Sequence, residues 1–481
     1  MLQRYKHIAW MLIATLVASC SKDFLNQDPQ SATETRHTIK DLAGLQAAIN
    51  GVYSLMQNEN YYGRTMLLLP DLRADNEYVS VVNSNRYRNL DQYIVTANDV
   101  YITDAWNLLY RVVANANMVI QKGPSVSLLP FAADSSEAGQ IVAEAYALRG
   151  LVFFDLVRLY AQAYNYTPDA SHMGIPLATT TNIEEVQSPS RSSVKDTYTQ
   201  IISDLNKAIS LFQESKSPAF SSGRLNILSV KALLARVLLY KGDWVAAEAA
   251  ASFVISTGKY TLLPGDKLVS DFSQTGNSET IFEIINTPTD NLSTDALSYM
   301  FSQMGYGDVL ATDDIWKIYN EKDARLGFIK RDRRAGTGGE NPANIVTKYR
   351  DVATFAEGIK VMRLAELYLI RAEALAHLGR DADAQQALND IVRRANPGAA
   401  PVMATGQALL DAIALERRKE LAFEGHRLFD LARTGAPFIK YLANNKTISV
   451  ALPGPKIILP IPQRELDANP NIRHQQNEGY N

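Results

Sequence analysis

The sequence predicts a mostly α-helical protein. Three observations carry that expectation: long apolar runs at helical spacing, glycines just past several of them, and little strand-like material. The composition is that of an ordinary globular chain, 46% hydrophobic and 21% charged over 481 residues, with a formal net charge of −3. It excludes a disordered chain, a collagen-like repeat and a polytopic membrane protein. The even charge balance argues against a nucleic-acid footprint. Length alone suggests about three domains, which the continuity of the helical pattern reduces to one body. Two counts stand out: one cysteine, and 23 Tyr against 15 Phe.

The chain opens with Arg4, Lys6 and His7, followed by an uncharged apolar run of eleven residues, Ile8 to Ala18 (IAWMLIATLVA). Such a run is too short to span a bilayer as a helix and fits a secretory signal. It ends in Val17-Ala18-Ser19-Cys20, and LVASC resembles the bacterial lipobox. In such signals small residues let the peptidase bind, the cysteine thiol is acylated, and the cysteine becomes the new N-terminus. The expected organisation is a signal peptide over 1–19, a lipidated tether over 20–40 (SKDFLNQDPQSATE is polar) and one helical domain over 41–481. Cleavage leaves 462 residues with 46 Lys+Arg against 51 Asp+Glu, a net of −5. With Cys20 acylated, the folded part has no thiol for a disulfide, a nucleophile or a metal. Membrane attachment is expected through this lipid only.

Along the body, Ile141 to Ala161 is apolar on nearly every face and predicts a buried helix. Ile227 to Tyr240 and Val361 to Leu378 repeat the pattern, with Val361, Leu364, Tyr368, Ala372 and Leu375 on one face. Gly242, Gly379 and Gly398 stand where a helix end favours positive φ. Two units, ALLARVLLYKGDWVAAEAAASFVIS and RLAELYLIRAEALAHLGRDADAQQALNDIV, resemble the tetratricopeptide helix-turn-helix, with irregular spacing. Glu279 to Asn286 and Lys456 to Pro462 are the best strand candidates. Between the helices run Tyr-rich polar stretches: eight tyrosines fall between Tyr53 and Tyr110, and Thr287 to Asp313 carries Tyr299, Phe301 and Tyr306. Long aromatic loops on a helical body point to function.

Several segments together resemble one family. AEAYALRGLVFFDLVRLYAQAY, GIPLATT, SVKDTYTQIISDLNKAISLF, GRLNILSVKALLARVLLYKGDW, RLAELYLIRAEAL, ERRKELAFEGHRLFDLARTG and LPIPQRELDANPNIRHQQNEGY are similar, in order, to the SusD/RagB nutrient-binding outer-membrane lipoproteins of Bacteroidetes. The resemblance implies a mostly α fold with four degenerate tetratricopeptide-like helix pairs and a loop-rich ligand-binding side. It implies a lipid-anchored protein on the extracellular face of the outer membrane, capping a SusC-like TonB-dependent transporter. The cargo would be an oligosaccharide or, in some members, a peptide. No enzyme activity and no cofactor is implied. SKDF after Cys20 is similar to the acidic export signals of such lipoproteins.

A sugar ring has an apolar C–H face, which an aromatic ring covers, and a hydroxylated rim, which polar side chains satisfy. Asp71 to Asn76 (DLRADN) resembles the family segment preceding the first binding loops, bringing in Arg73, Asp75 and Asn76. The candidates around it are Tyr61, Tyr62, Tyr78, Arg86, Tyr87, Asn89, Tyr93 and Tyr101, with Tyr299, Phe301 and Tyr306 from the later region. Burial against a helix is the competing reading for each tyrosine. Trp106, Trp244 and Trp316 all read as helix-packing residues, so a starch-like tryptophan arc is not expected and another glycan, or a peptide, is favoured.

The charge-dense block Glu416-Arg417-Arg418-Lys419-Glu420, with Glu424, His426, Arg427 and Asp430, invites an acid–base reading but predicts a buried ion-pair network. No HExxH, GxSxG, Walker A or GxGxxG occurs, and Glu373 with His377 lacks a second histidine. Asp467, Asn469, Asn471 and Glu478 match four EF-hand positions, but Ile472 stands where the turn needs glycine, so no metal is expected. Two other classes stand behind nutrient capture. A helical-repeat scaffold would show a charged concave face and no pocket among the tyrosine loops. A glycoside hydrolase needs two carboxylates about 5–10 Å apart across a cleft.

Overall fold

The computed structural model describes residues 39–126, 132–181, 188–214 and 221–480. Cys20, the signal and most of the tether lie outside the described residues. Eleven long helices are named here in chain order. They are α1 (Leu42–Gln57), α2 (Thr65–Leu72), α3 (Val100–Val126), α4 (Ala132–Tyr160), α5 (Val194–Glu214), α6 (Ile227–Lys241), α7 (Trp244–Ser256), α8 (Leu364–His377), α9 (Asp381–Ala395), α10 (Gly406–Glu420) and α11 (Arg427–Thr434).

The apolar runs become the helices that pack most tightly. In α4, Leu148, Leu151, Phe153, Phe154 and Leu156 are all fully buried, so this helix is enclosed rather than amphipathic. Each such side chain contributes on the order of 2 kcal/mol by leaving water. Helix α4 packs between α3 and α5, and α6 pairs with α7 as α8 pairs with α9. Local chemistry starts and stops the paired helices. Asn226 and Ser229 form a reciprocal capping box at the start of α6, and Gly242 closes that helix at φ 77°. Gly379 turns α8 into α9 at φ 71°.

Three sequence expectations need correction. Gly398 does not adopt positive φ; α9 already ends at Ala395, with Asn396 extended at φ −142°. Pro397 explains this, because the residue before a proline is driven out of the helical region. Val361 belongs to a strand, Ile359–Arg363, which pairs along Thr280–Ile284 with an irregularity in register, and α8 begins only at Leu364. Lys456 to Pro462 forms a short 3-10 turn and unpaired extended chain, Pro455, Pro460 and Pro462 lacking the amides a ladder needs. Glu279 to Asn286 does hold a strand, at Thr280–Ile284.

Six short strands position the loops: β1 (Glu77–Val79), β2 (Thr280–Ile284), β3 (Val309–Ala311), β4 (Ile329–Asp332), β5 (Ala343–Val346) and β6 (Ile359–Arg363). Four of them form an antiparallel sheet in the order β1-β3-β5-β4, with Glu77 opposite Ala311 and Val79 opposite Val309. This sheet joins the two tyrosine-rich regions, although more than 200 residues separate them in the chain. Among the described residues no helix is long and apolar enough to cross a membrane.

Candidate functional site

The β1–β3 pairing continues beyond the strands into the loops. The Ser80 amide donates to the Asp308 carbonyl at 2.8 Å, and the Ser84 amide donates to the Asp308 carboxylate at 2.9 Å. The hairpin after β4 closes on both loops through Arg334. Its guanidinium donates to the Val82 carbonyl at 2.8 Å, the Tyr306 carbonyl at 2.7 Å and the Gln303 side chain at 3.2 Å. Glu340, at the far end of that hairpin, accepts from the Ser80 hydroxyl at 2.7 Å and the Val81 amide at 2.8 Å. Three segments, 80–90, 299–308 and 330–341, therefore form one rim.

At that rim the Arg86 guanidinium lies 3.7 Å from the centre of the Tyr306 ring. Tyr299 meets Tyr306 edge to face at 4.9 Å and 88°, and Phe355 stands 5.9 Å from Tyr299. Arg86, Tyr299 and Tyr306 are partly exposed, so an aromatic and cationic surface faces outward. Arg334, Gln303 and Phe355 were not singled out from the sequence. The Arg- and Gly-rich run RDRRAGTGGE was the signal that could have found the hairpin.

Seven of the candidate residues are interior, and the expectation that they line a ligand surface is corrected. Tyr61, Tyr62, Arg73, Asp75, Asn76, Tyr87 and Phe301 are at most 5% exposed. The hydroxyls of Tyr61 and Tyr62 donate to the buried Asp155 carboxylate at 2.6 and 2.8 Å. Arg73 donates to the carbonyls of Lys456 and Ile457. Asp75 takes two bonds from Arg427 at 2.7 and 2.8 Å, and Asn76 donates to Asp71 at 2.6 Å. Tyr87 accepts from Arg64 at 2.9 Å and stacks on Tyr101 at 4.1 Å. Phe301 lies against Tyr349. Of the remaining candidates, Tyr78 packs on Leu310, Ala343 and Ile345, while Tyr93 sits under Arg73 and donates to its carbonyl. Tyr101 is half-buried against Tyr87, and Asn89 is exposed. The structure thus brings together three candidates, Arg86, Tyr299 and Tyr306.

The three tryptophans pack as expected. Trp106 is buried against Tyr160 at 4.8 Å, and Trp316 lies under Arg331. Trp244 stacks on His377 at 3.9 Å, beside a cavity of about 650 Å³ between α6, α8, α10 and α11.

The charge-dense block is an ion-pair network. Arg363 reaches Glu279 at 2.7 Å, Glu420 at 2.6 Å and Glu424 at 2.7 Å. Arg325 reaches Glu416 and Glu420, and Arg417 holds Asp430 at 2.8 Å. The arginines Arg417 and Arg433 hold the Asp430 carboxyl down to about 2 against the cost of burial. Burial, with Arg236 and Arg417 nearby, pushes His426 well below the usual imidazole range. His426 is itself buried and does not line the cavity beside Trp244, although Arg417, Arg427 and Asp430 do, and an enclosed, neutral imidazole is poorly placed to act as a general base on a bound substrate. Asn469 and Asn471 donate to the carbonyls of Pro189 and Ser188, so these EF-hand-like positions tie two chain segments together.

Comparison with known proteins gives a consistent picture. Residues 344–480 match the family model described as "SusD family", and residues 23–239 match the one described as "Starch-binding associating with outer membrane". The chain is 25% identical to SusD-like protein P2 of Formosa agariphila over 514 aligned residues, covering 95% of this chain and 98% of that one. A SusD superfamily protein from Bacteroides thetaiotaomicron superposes with a TM-score of 0.81 at 29% identity, over 90% of this chain and 98% of that chain. A laminarin-binding SusD-like protein shares the fold at a TM-score of 0.73 and 24% identity, over 92% of this chain and 100% of that one.

Proposed function

Because the chain belongs to the SusD family, we propose that it is a cell-surface lipoprotein that captures oligosaccharides and passes them to a SusC-like TonB-dependent transporter. One observation carries the reading: the aromatic pair Tyr299–Tyr306, with Arg86 on the Tyr306 face, is assembled from loops that the fold brings together. Rings of this kind cover the apolar face of a sugar, and the loop amides and guanidinium groups beside them satisfy its hydroxyls. A neighbour of the same fold that binds laminarin supports a carbohydrate ligand. On this reading Cys20 carries the lipid anchor and the body lies on the extracellular face of the outer membrane. No catalytic step is assigned, since the carboxylates of the late block are already held by arginines.

Isothermal titration of the intact chain against a panel of oligosaccharides and short peptides tests this. A glycan is expected to bind, and Tyr306→Ala is expected to weaken it about tenfold, the worth of one aromatic platform. Silence across all the glycans, or binding of peptides only, sinks the reading.

A further inference from the structure

The segments 80–90, 299–308 and 330–341 carry six basic side chains and three acidic ones, a surplus of three positive charges on a chain whose net charge is −3. All three carboxylates are occupied. Asp308 is fully buried and held by the amide and hydroxyl of Ser84. Glu340 is held by Ser80 and Val81, and Asp332 pairs with Lys330 at 2.5 Å. On the basic side, Arg331 turns toward Asp313 at 3.2 Å and Trp316 at 4.5 Å. Arg86, Arg88, Arg333 and Arg334 remain, and among the described residues none of them is ion-paired with a carboxylate.

Their settings differ. Arg334 is buried and holds loop carbonyls, so its charge is structural. Arg86 lies over the Tyr306 ring and donates to the Ser84 hydroxyl at 2.7 Å. Arg88 and Arg333 are exposed, and Arg333 lines an open groove with Arg334 and Thr337. A guanidinium stacked on a ring is fixed in place, and its in-plane N–H groups suit a planar carboxylate or a sulfate. A neutral sugar can accept from these N–H groups through its hydroxyls, but it leaves their charge unbalanced, which an anionic group does not.

We propose that this rim selects glycans bearing an anionic group, a uronate carboxylate or a sulfate ester, with Arg86 and Arg333 meeting the charge and Tyr306 covering the ring. The inference rests on the reading that the rim is the glycan site. The experiment titrates the intact chain with an oligogalacturonate, a sulfated carrageenan oligosaccharide and a neutral laminarin oligosaccharide, at about 50 and 300 mM NaCl. One anionic probe is expected to bind at least about tenfold tighter than laminarin and to weaken as salt rises, and which one binds separates carboxylate from sulfate. Arg333→Ala, at an exposed position, and Arg86→Ala together are expected to remove that preference, while Arg86→Lys retains part of it; circular dichroism checks the fold of each. Laminarin binding at least as tightly, with loss on Tyr306→Ala, overturns the charge selection and leaves the glycan reading standing. Silence from all three probes overturns both. A fourth titration, with poly-glutamate, separates an acidic peptide: binding of poly-glutamate and of none of the three glycans overturns both.

Discussion

Glu77 is fully buried and neither carboxylate oxygen has a hydrogen-bond partner. Burial, reinforced by Asp71, raises its pKa well above the usual carboxylate range. Asp430 is the opposite case, held down to about 2 by arginines. The two shifts act on stability with opposite signs. A raised acid stabilises below its unfolded value near 4.5 and loses that contribution as pH rises. A depressed one contributes above its unfolded value near 3.8 and loses it as pH falls toward 2, which for Asp430 is on the order of 2 kcal/mol. Glu77→Gln is therefore expected to gain on the wild type in thermal stability steadily from pH 4.5 to pH 8. Parallel melting curves across that range would show that Glu77 is ionised in the fold. The same contrast explains what the sequence hid at the candidate tyrosines. Tyr61 and Tyr62 stand in a polar stretch, and nothing local shows that Asp155, more than 90 residues away, receives both hydroxyls. Tyr306 and Arg86 read no differently in the sequence, yet they face outward.

At the scale of elements, the turns that join packed helices depend on left-handed glycines whose surroundings differ. A Cβ on Gly379, at φ 71°, meets nothing within 4 Å, so only the backbone conformation opposes it. One on Gly425, at φ 76°, would stand 2.4 Å from the Met66 carbonyl oxygen. Denaturant titration should show Gly379→Ala costing about 1 kcal/mol and Gly425→Ala clearly more, roughly 3 kcal/mol or greater. Equal losses would mean that Gly425 has room to move away from α2. Gly242 and Gly379 were legible, because each follows a long helical run and opens a second. Of the six strands only β2, within Glu279 to Asn286, was. β1 has three residues, and its partner β3 lies over 200 positions away, so neither alternation nor length marks it. The rim was therefore only half readable: both tyrosine-rich regions were visible, but not their union, nor the arginine hairpin that clamps them.

For the whole molecule, the proposed anchor and the folded core fall on separate stretches of the chain. One apolar core contains residues from Ile39 to Ile472, and Cys20 precedes all of it. Cys20→Ala is expected to move the protein from the detergent-rich to the aqueous phase on detergent partitioning while leaving its melting temperature unchanged. Retention in the detergent phase would point to a second membrane contact. The mostly helical class was legible because it rests on repeated local patterns. The ion-pair network was legible only at its late block, since its partners Arg325, Arg363 and Glu279 lie far away in the chain.

The links between the early and late chain bear on the order of assembly. Asp71 accepts from the Gly425 amide, Arg73 donates to Ile457, and Asp75 pairs with Arg427, each across more than 350 residues. Contacts of such sequence separation close late and slowly. Until the final sixty or so residues are present, Asp71, Arg73 and Asp75 lack these partners, and enclosing them would strand charge in an apolar setting. Closure of this seam therefore depends on the late segment, and a copy truncated before Gly425 is expected to be cleaved faster by a protease than the full chain.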